Sequence, residues 1–174
     1  MSWLTPLFLT IRLLHVLLAA VWLGGLALLV LFVLPADKEA GPAAAPLVGA
    51  IARRGLNAFM GAVGGITVLT GIYLYWRYTG GFAPELSATR SAMVFGAGGI
   101  AGIVAVILGG VLVARNIARM DERGGRAMTL PEGPERTALL AESAAAGDRA
   151  LSGGRLVLAL QAIALGCMAI GHYI

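Results

Sequence analysis

The chain has 174 residues, of which 59% are hydrophobic and 13% are charged, with a formal net charge of +4 at pH 7. Soluble domains carry about 25% charged residues, so this composition excludes an ordinary soluble domain and predicts a helical protein whose main partner is the lipid bilayer. The positive charge does not indicate nucleic-acid binding, because the basic residues lie at the ends of apolar segments and form no soluble basic face.

Four apolar segments are predicted to cross the membrane as helices. The first, residues 7–34, exceeds the ~20 residues that a helical span needs, and Pro35 is expected to end it. It is too long for a signal-peptide core and no small-residue cleavage site follows it, so we expect it to be retained. The other three spans are predicted at residues 58–76, 91–114 and 156–174.

The segments between the spans are rich in polar and turn-forming residues. A polar connector is expected over residues 35–46, and residues 47–57 are either a short interfacial helix or the first turns of the second span. Residues 79–89 form a loop rich in Gly and Pro, and residues 121–134 have turn composition. Residues 135–151 are predicted as a short amphipathic helix in the loop between spans three and four, or as a helical extension of span four.

The predicted fold is all-α, an integral membrane four-helix bundle with up-down-up-down connections and a single membrane domain over residues 1–174. Two pairs of glycines, Gly61 with Gly65 and Gly98 with Gly102, have the small-x-x-x-small spacing that lets helix backbones approach closely. Such pairs serve either ordinary packing within the bundle or contact between chains, and we expect the chain to self-associate into a homo-oligomer through its Gly-rich faces.

The basic residues divide unequally between the two sides of such a bundle. With four spans, both termini lie on one side, and that side receives Arg12, Arg77 and Arg90 of the 13 basic residues. The other side receives the remaining ones. Because loops rich in Lys and Arg stay in the cytoplasm, we expect both termini on the outer side of a multi-pass cell-membrane protein.

The chain has only two histidines, and the predicted topology places both near the outer surface. His15 lies near the start of the first span, one turn after Arg12, and His172 lies at the end of the fourth. The first and last helices of an up-down bundle are usually neighbours, so the two rings are predicted at similar depth on adjacent helices. An ionisable side chain within a membrane span is a candidate functional residue.

A haem site is the leading hypothesis for the two histidines, because imidazole is a frequent ligand of haem iron and helical bundles hold cofactors in their cores. We predict haem b with His15 as axial ligand and His172 as the second, in electron transfer or an oxidoreductase role with a quinone or another redox partner. Ala19 and Trp22 follow His15 at i+4 and i+7 and are predicted to line the cofactor, and Arg12 to pair with a propionate. The alternatives are that Trp22 is plain core or lipid-facing bulk, that Arg12 extends to the interface, and that the two histidines lie unliganded at the interface.

Copper binding or transport is the alternative cofactor hypothesis. Met168 lies at i−4 from His172, and with His15 the two offer the imidazole and thioether ligands that select Cu(I), with Cys167 nearby. Since Cys167 is the only cysteine, it excludes an internal disulfide and a multi-cysteine site. A structural membrane module without a cofactor is the third hypothesis, and no catalytic residue is assigned.

A short stretch of the first span resembles a known family. Residues 14–25 read LHVLLAAVWLGG. The pattern LH-x-L-x-A-x-x-W-L-G-G is similar to the first span of small bacterial membrane proteins related to the copper-resistance protein D family, and more distantly to the haem-containing membrane protoporphyrinogen oxidase. Those families are helical bundles with a first-span histidine. The resemblance implies haem b or copper at His15, in the cell membrane of a bacterium.

Overall fold

A computed structural model describes residues 5–174, apart from the side chains at positions 42, 44–46, 48 and 52. All regular structure in these residues is helical, with no strand, which confirms the all-α prediction. In chain order the helices are α1 (Pro6–Ala40), α2 (Ala45–Arg53), α3 (Leu56–Tyr78), α4 (Pro84–Ser87), α5 (Arg90–Thr129) and α6 (Pro134–Ile170).

Four helices in the described part of the chain, α1, α3, α5 and α6, are long and apolar enough to cross a membrane. Only 17–22% of the most apolar window of each is buried within the chain. Large side chains such as Leu13, Leu69 and Ile100 are 60–67% exposed. Apolar surface of this extent needs an apolar partner, which indicates a multi-pass membrane protein.

The first helix does not end at Pro35, contrary to the prediction. Leu29–Val33 form a π-helical turn, and the N–H of Leu34 bonds to the carbonyl of Leu29, five residues back. Because Pro35 has no N–H and its ring would clash with the preceding turn of a regular helix, the wider turn accommodates it without a break. The helix continues to Ala40, so the predicted polar connector is helical in its first part.

Residues 47–57 contain a separate helix rather than the first turns of the second span. Helix α2 ends at Arg53, and α3 begins at Leu56. Gly55 lies between them with a φ of 80°, a left-handed conformation that glycine adopts without steric cost.

Helix α5 extends well beyond the apolar segment that was predicted to end at Ala114. A second π-helical turn at Gly109–Ala114 is followed by regular helix to Thr129, so the predicted turn over residues 121–134 is helical in its first part. The helix is held by tertiary contact, because the Ser143 hydroxyl of α6 donates a hydrogen bond to the Met120 carbonyl at 2.8 Å.

The short helix predicted between spans three and four is not separate. Residues 135–151 are the first part of α6, which has 37 residues and ends at Ile170. Of the two interpretations of this segment, the extension of span four is therefore the one present. Its alanine-rich sequence contains no proline that would interrupt it, and Ala is the residue most favourable to helix.

The chain divides into two compact units, each with a segment of all four long helices. Unit 1 contains both histidines and the basic residues Arg12, Arg77 and Arg90, whereas unit 2 contains the other basic residues. Unit 1 comprises Met1–Gly24, Ala62–Val106 and Leu158–Ile174, and unit 2 comprises Gly25–Gly61 and Ile107–Val157.

Within unit 2, two consecutive glycines bring α6 close to its neighbours. A Cβ added to Gly153 would lie 2.5 Å from the Cβ of Leu112, and one added to Gly154 would lie 2.5 Å from Cγ2 of Val30. Both distances are too short for non-bonded carbons, which prefer about 3.5–4.0 Å. These two positions therefore require glycine.

Only one of the four glycines in the predicted small-x-x-x-small pairs lies at a helix contact. A Cβ on Gly98 of α5 would lie 2.8 Å from the Cβ of Cys167 in α6. At Gly61, Gly65 and Gly102 an added Cβ would meet no atom within 4 Å. Those three glycines do not serve helix packing among the described residues.

Candidate cofactor site at His15

The half-buried ring of His15 packs against α3 within unit 1. Its Nδ1 lies 2.9 Å from the carbonyl oxygen of Thr67 and 3.1 Å from Oγ1 of Thr70. A carbonyl only accepts, and the Thr70 hydroxyl already directs its proton to the carbonyl of Ile66 or Thr67. Both partners are thus acceptors, which assigns the proton to Nδ1 and leaves the lone pair of the neutral ring on Nε2.

The free nitrogen of His15 has the arrangement found in metal-binding histidines. Such a histidine donates its other ring N–H to a carbonyl or carboxylate, which orients the ring and raises the basicity of the ligating nitrogen. Among the described residues, Nε2 of His15 has no hydrogen-bond partner. A Cβ on Gly71 would lie 3.0 Å from Cε1 of the ring and 3.9 Å from Nε2, so glycine lets the ring lie close against the α3 backbone.

Trp22, which was predicted to line the cofactor, packs against α3. A Cβ on Gly64 would lie 2.8 Å from Cε2 of the indole, so the ring rests directly on the α3 backbone. Gly64 precedes Gly71 by seven residues in α3. Their contacts in α1 come in the reverse order, because His15, which contacts Gly71, precedes Trp22, which contacts Gly64, by seven residues. The two contacts therefore set the register in which His15 meets α3, and half-buried Ala19 lies between them in α1.

His172 is held by Arg12, and both side chains are exposed. Nη2 of Arg12 lies 3.1 Å from Nε2 of His172, and because a guanidinium only donates, Nε2 is the acceptor. The ring also packs edge-on against Phe95, with centroids 5.0 Å apart. The two histidines thus have different partners in unit 1. His15 of α1 contacts α3, and His172 contacts Arg12 of α1.

The three ligands proposed for copper lie against different helices. Cε of Met168 would be 3.2 Å from a Cβ on Gly98 of α5, whereas His15 bonds to α3. His172 bonds to Arg12. Within the described residues there is also no group of three or more His, Cys, Asp or Glu placed to hold a metal.

Gln161 is a candidate site residue that the sequence analysis missed. It lies in α6 within unit 1 and is only 4% exposed, and neither atom of its amide has a partner among the described residues. A buried amide without hydrogen bonds is a position for a bound water or a polar ligand atom. The sequence does contain a signal for this residue, because Gln161 is the chain's only glutamine and a polar side chain within an apolar span is a candidate functional residue.

Replacing Gln161 with leucine is expected to raise the free energy of unfolding of detergent-purified, cofactor-free protein by about 1–3 kcal/mol, since it removes an unpaired buried amide. Thermal unfolding followed by circular dichroism measures the change. Asn116→Leu is the matched control, because the Asn116 amide nitrogen donates to the Leu112 carbonyl at 2.8 Å and only its oxygen is unpaired among the described residues, so its loss brings a smaller gain. A lower midpoint for Gln161→Leu would show that the amide has a partner in solution.

Comparison with known proteins identifies no relative from which a role can be transferred. No family model, curated protein or solved structure matches the chain. The assignment of the site therefore depends on the contacts of its own residues. Those contacts are the ones expected of a metal-ligating histidine at position 15, with Nδ1 held as a donor and Nε2 without a partner among the described residues.

Proposed function

We propose that this chain is a membrane b-type haem protein in which His15 ligates the iron through Nε2. The observation that carries the proposal is the pair of acceptors, the Thr67 carbonyl and the Thr70 hydroxyl, that hold the proton on Nδ1. Haem bound there supplies one-electron transfer between ferrous and ferric iron. The two threonines orient the ring and increase the basicity of its ligating nitrogen, and Gly71 lets the ring lie close enough to α3 for these contacts.

Arg12 has donors to spare for a haem propionate. A guanidinium has five N–H donors, and Arg12 uses one of its nitrogens on His172. The remaining donors suit the planar, bidentate geometry of a carboxylate. In this role Arg12 orients the cofactor, Ala19 leaves room beside the ligand, and Trp22 maintains the helix register.

We propose an up-down-up-down bundle with both termini on the outer side of a bacterial cell membrane. Support comes from the antiparallel order of the His15–Gly71 and Trp22–Gly64 contacts and from the unequal basic content of the two units. The positive-inside rule then favours a cytoplasmic position for the helix ends that carry most of the basic residues. This orientation puts His15 near the outer surface, where a quinone or another redox partner exchanges electrons with the site, and the open Gly61 and Gly65 positions face a second copy.

His172 becomes an iron ligand only by giving up its hydrogen bond to Arg12. We therefore propose that His15 alone would hold the haem iron and that His172 would stay with Arg12. Haem held by a single histidine would give a broad, high-spin visible spectrum.

The experiment that tests the function is the visible spectrum of detergent-purified protein, as isolated and after dithionite, with metal analysis of the same sample. We expect a Soret band and broad high-spin features. Sharp α and β bands on reduction would show that haem is bound, but that a second ligand holds it together with His15. No Soret band with stoichiometric copper would overturn haem in favour of copper handling, and neither metal would favour a structural module.

Gly71→Leu is expected to lower the haem content of the purified protein by roughly tenfold, the lower end of the effect of disturbing a metal ligand's surroundings. The new side chain would occupy the edge of His15, where even a Cβ lies 3.0 Å from Cε1. Gly99→Leu is the matched control in the same unit, because Gly99 is also a helical glycine and a Cβ there meets no atom within 4 Å. Equal haem content in the two variants would contradict the assigned role of Gly71.

A further inference from the structure

A basic cleft lies within unit 2, between the parts of α5 and α6 that extend beyond the apolar spans. The two helices are held together there by the hydrogen bond from Ser143 to the Met120 carbonyl. The cleft has a volume of about 260 Å³ and is lined by Arg119, Arg123, Glu142, Ala145, Ala146 and Arg149. Its walls are charged and its alanines are small, so it offers space together with guanidinium groups.

The positive charge of the cleft is only partly neutralised within the chain. Arg123 forms an ion pair with Glu142 across the two helices. Among the described residues, neither Arg119 nor Arg149 has an ion-pair or hydrogen-bond partner, and the nearby Asp148 is paired with Lys38 at 2.7 Å. Two guanidinium groups that share a cleft repel each other, and a bound anion relieves that repulsion.

The arginine side chains that line the cleft are within reach of the headgroup layer of a bilayer. A helix rises 1.5 Å per residue, so Arg119 lies about 7 Å beyond Ala114, where the apolar segment of α5 was predicted to end. Arg149 lies about 10 Å before Leu156, where the apolar segment of α6 was predicted to start. Headgroups extend about 5–7 Å beyond each side of the hydrocarbon core, and the flexible side chains of both arginines reach into that layer.

We propose that Arg119 and Arg149 bind a phosphate group in this cleft and that its source is the headgroup of an anionic membrane lipid. Guanidinium binds phosphate oxygens through paired N–H donors, and basic pockets between helices at the cytoplasmic side bind anionic headgroups. The ion pair with Glu142 holds Arg123 at the wall of the cleft, so Arg119 and Arg149 are the two free donors. A soluble phosphate ion offers the arginines the same oxygen atoms, but it is not held at the depth of the headgroup layer.

The test compares the thermal unfolding midpoint of the detergent-purified full chain with added phosphatidylglycerol, phosphatidylcholine or inorganic phosphate. Phosphatidylglycerol is expected to raise the midpoint of the wild-type protein most, because the positive choline group of phosphatidylcholine is repelled by the arginines. The double variant Arg119→Gln with Arg149→Gln is expected to lose this shift. Arg115→Gln is the matched control, because Arg115 is exposed on the same helix and does not line the cleft.

Native mass spectrometry of the wild-type protein in an equimolar mixture of the two lipids gives a second measurement that does not depend on the variants folding. Retention of one phosphatidylglycerol is the expected result. No preference between the lipids, or an undiminished phosphatidylglycerol shift in the double variant, would overturn the site. A shift with inorganic phosphate as large as that with phosphatidylglycerol would overturn the lipid as its source. The site does not depend on haem, so its failure leaves the proposed function standing.

Discussion

His15→Ala is expected to remove the Soret band of the purified protein and to lower its haem content by more than about tenfold. Changes in the hydrogen-bond partners of a metal ligand alone reduce metal affinity 10–100-fold, and loss of the ligand itself exceeds this. Alanine also vacates the place beside Gly71 and leaves the Thr67 carbonyl and Thr70 hydroxyl without their donor. Haem is measured as the reduced pyridine complex, per mole of protein.

Two further variants separate ligation from general damage to the fold. His172→Ala is expected to retain haem, because the ring's Nε2 is bonded to Arg12. Thr70→Val is expected to lower haem content less than His15→Ala, because the Thr67 carbonyl still accepts from Nδ1 at 2.9 Å. All three variants should keep the helical circular dichroism of the wild type. Unchanged haem content in His15→Ala would refute the proposed ligand.

Gly153→Val is expected to reduce the free energy of unfolding by about 1–3 kcal/mol or more, the usual cost of inserting atoms into a well-packed contact. A Cβ at this position lies 2.5 Å from the Cβ of Leu112 and 3.4 Å from that residue's backbone carbonyl. Repacking side chains alone does not relieve the contact, because part of it is made with the helix backbone. The helices α5 and α6 must therefore move apart.

Gly166→Val is the matched control for this effect. Gly166 lies in the same helix, and a Cβ there meets no atom within 4 Å. Both substitutions replace glycine by the same β-branched residue, so intrinsic helix propensity changes equally and the difference between the two isolates packing. The difference is measured as the thermal unfolding midpoints of the two variants in detergent. Equal midpoints would show that α5 and α6 are further apart at Gly153 than the 2.5 Å contact implies.

The helical spans were predictable from sequence because they depend on local hydrophobicity. A run of apolar residues long enough to cross a membrane leaves helix as the structure that satisfies its backbone. The ends of the helices were less predictable. Pro35 and the Gly124–Gly125 pair are local signals for a helix break. A π-helical turn accommodates Pro35, and packing of α5 against α6 stabilises the helix across the two glycines.

The sequence by itself determined that His15 is an imidazole within an apolar span, that the basic residues divide unequally, and that the chain is a helical membrane protein. Only the tertiary structure decided which nitrogen of His15 is free, since the acceptors are in Thr67 and Thr70, more than fifty positions away in the chain. It likewise placed Arg12 on His172 and left the amide of Gln161 unpaired. The physical reason is that hydrophobicity acts along a segment, whereas a hydrogen bond requires two particular atoms to meet, and helix packing determines that meeting.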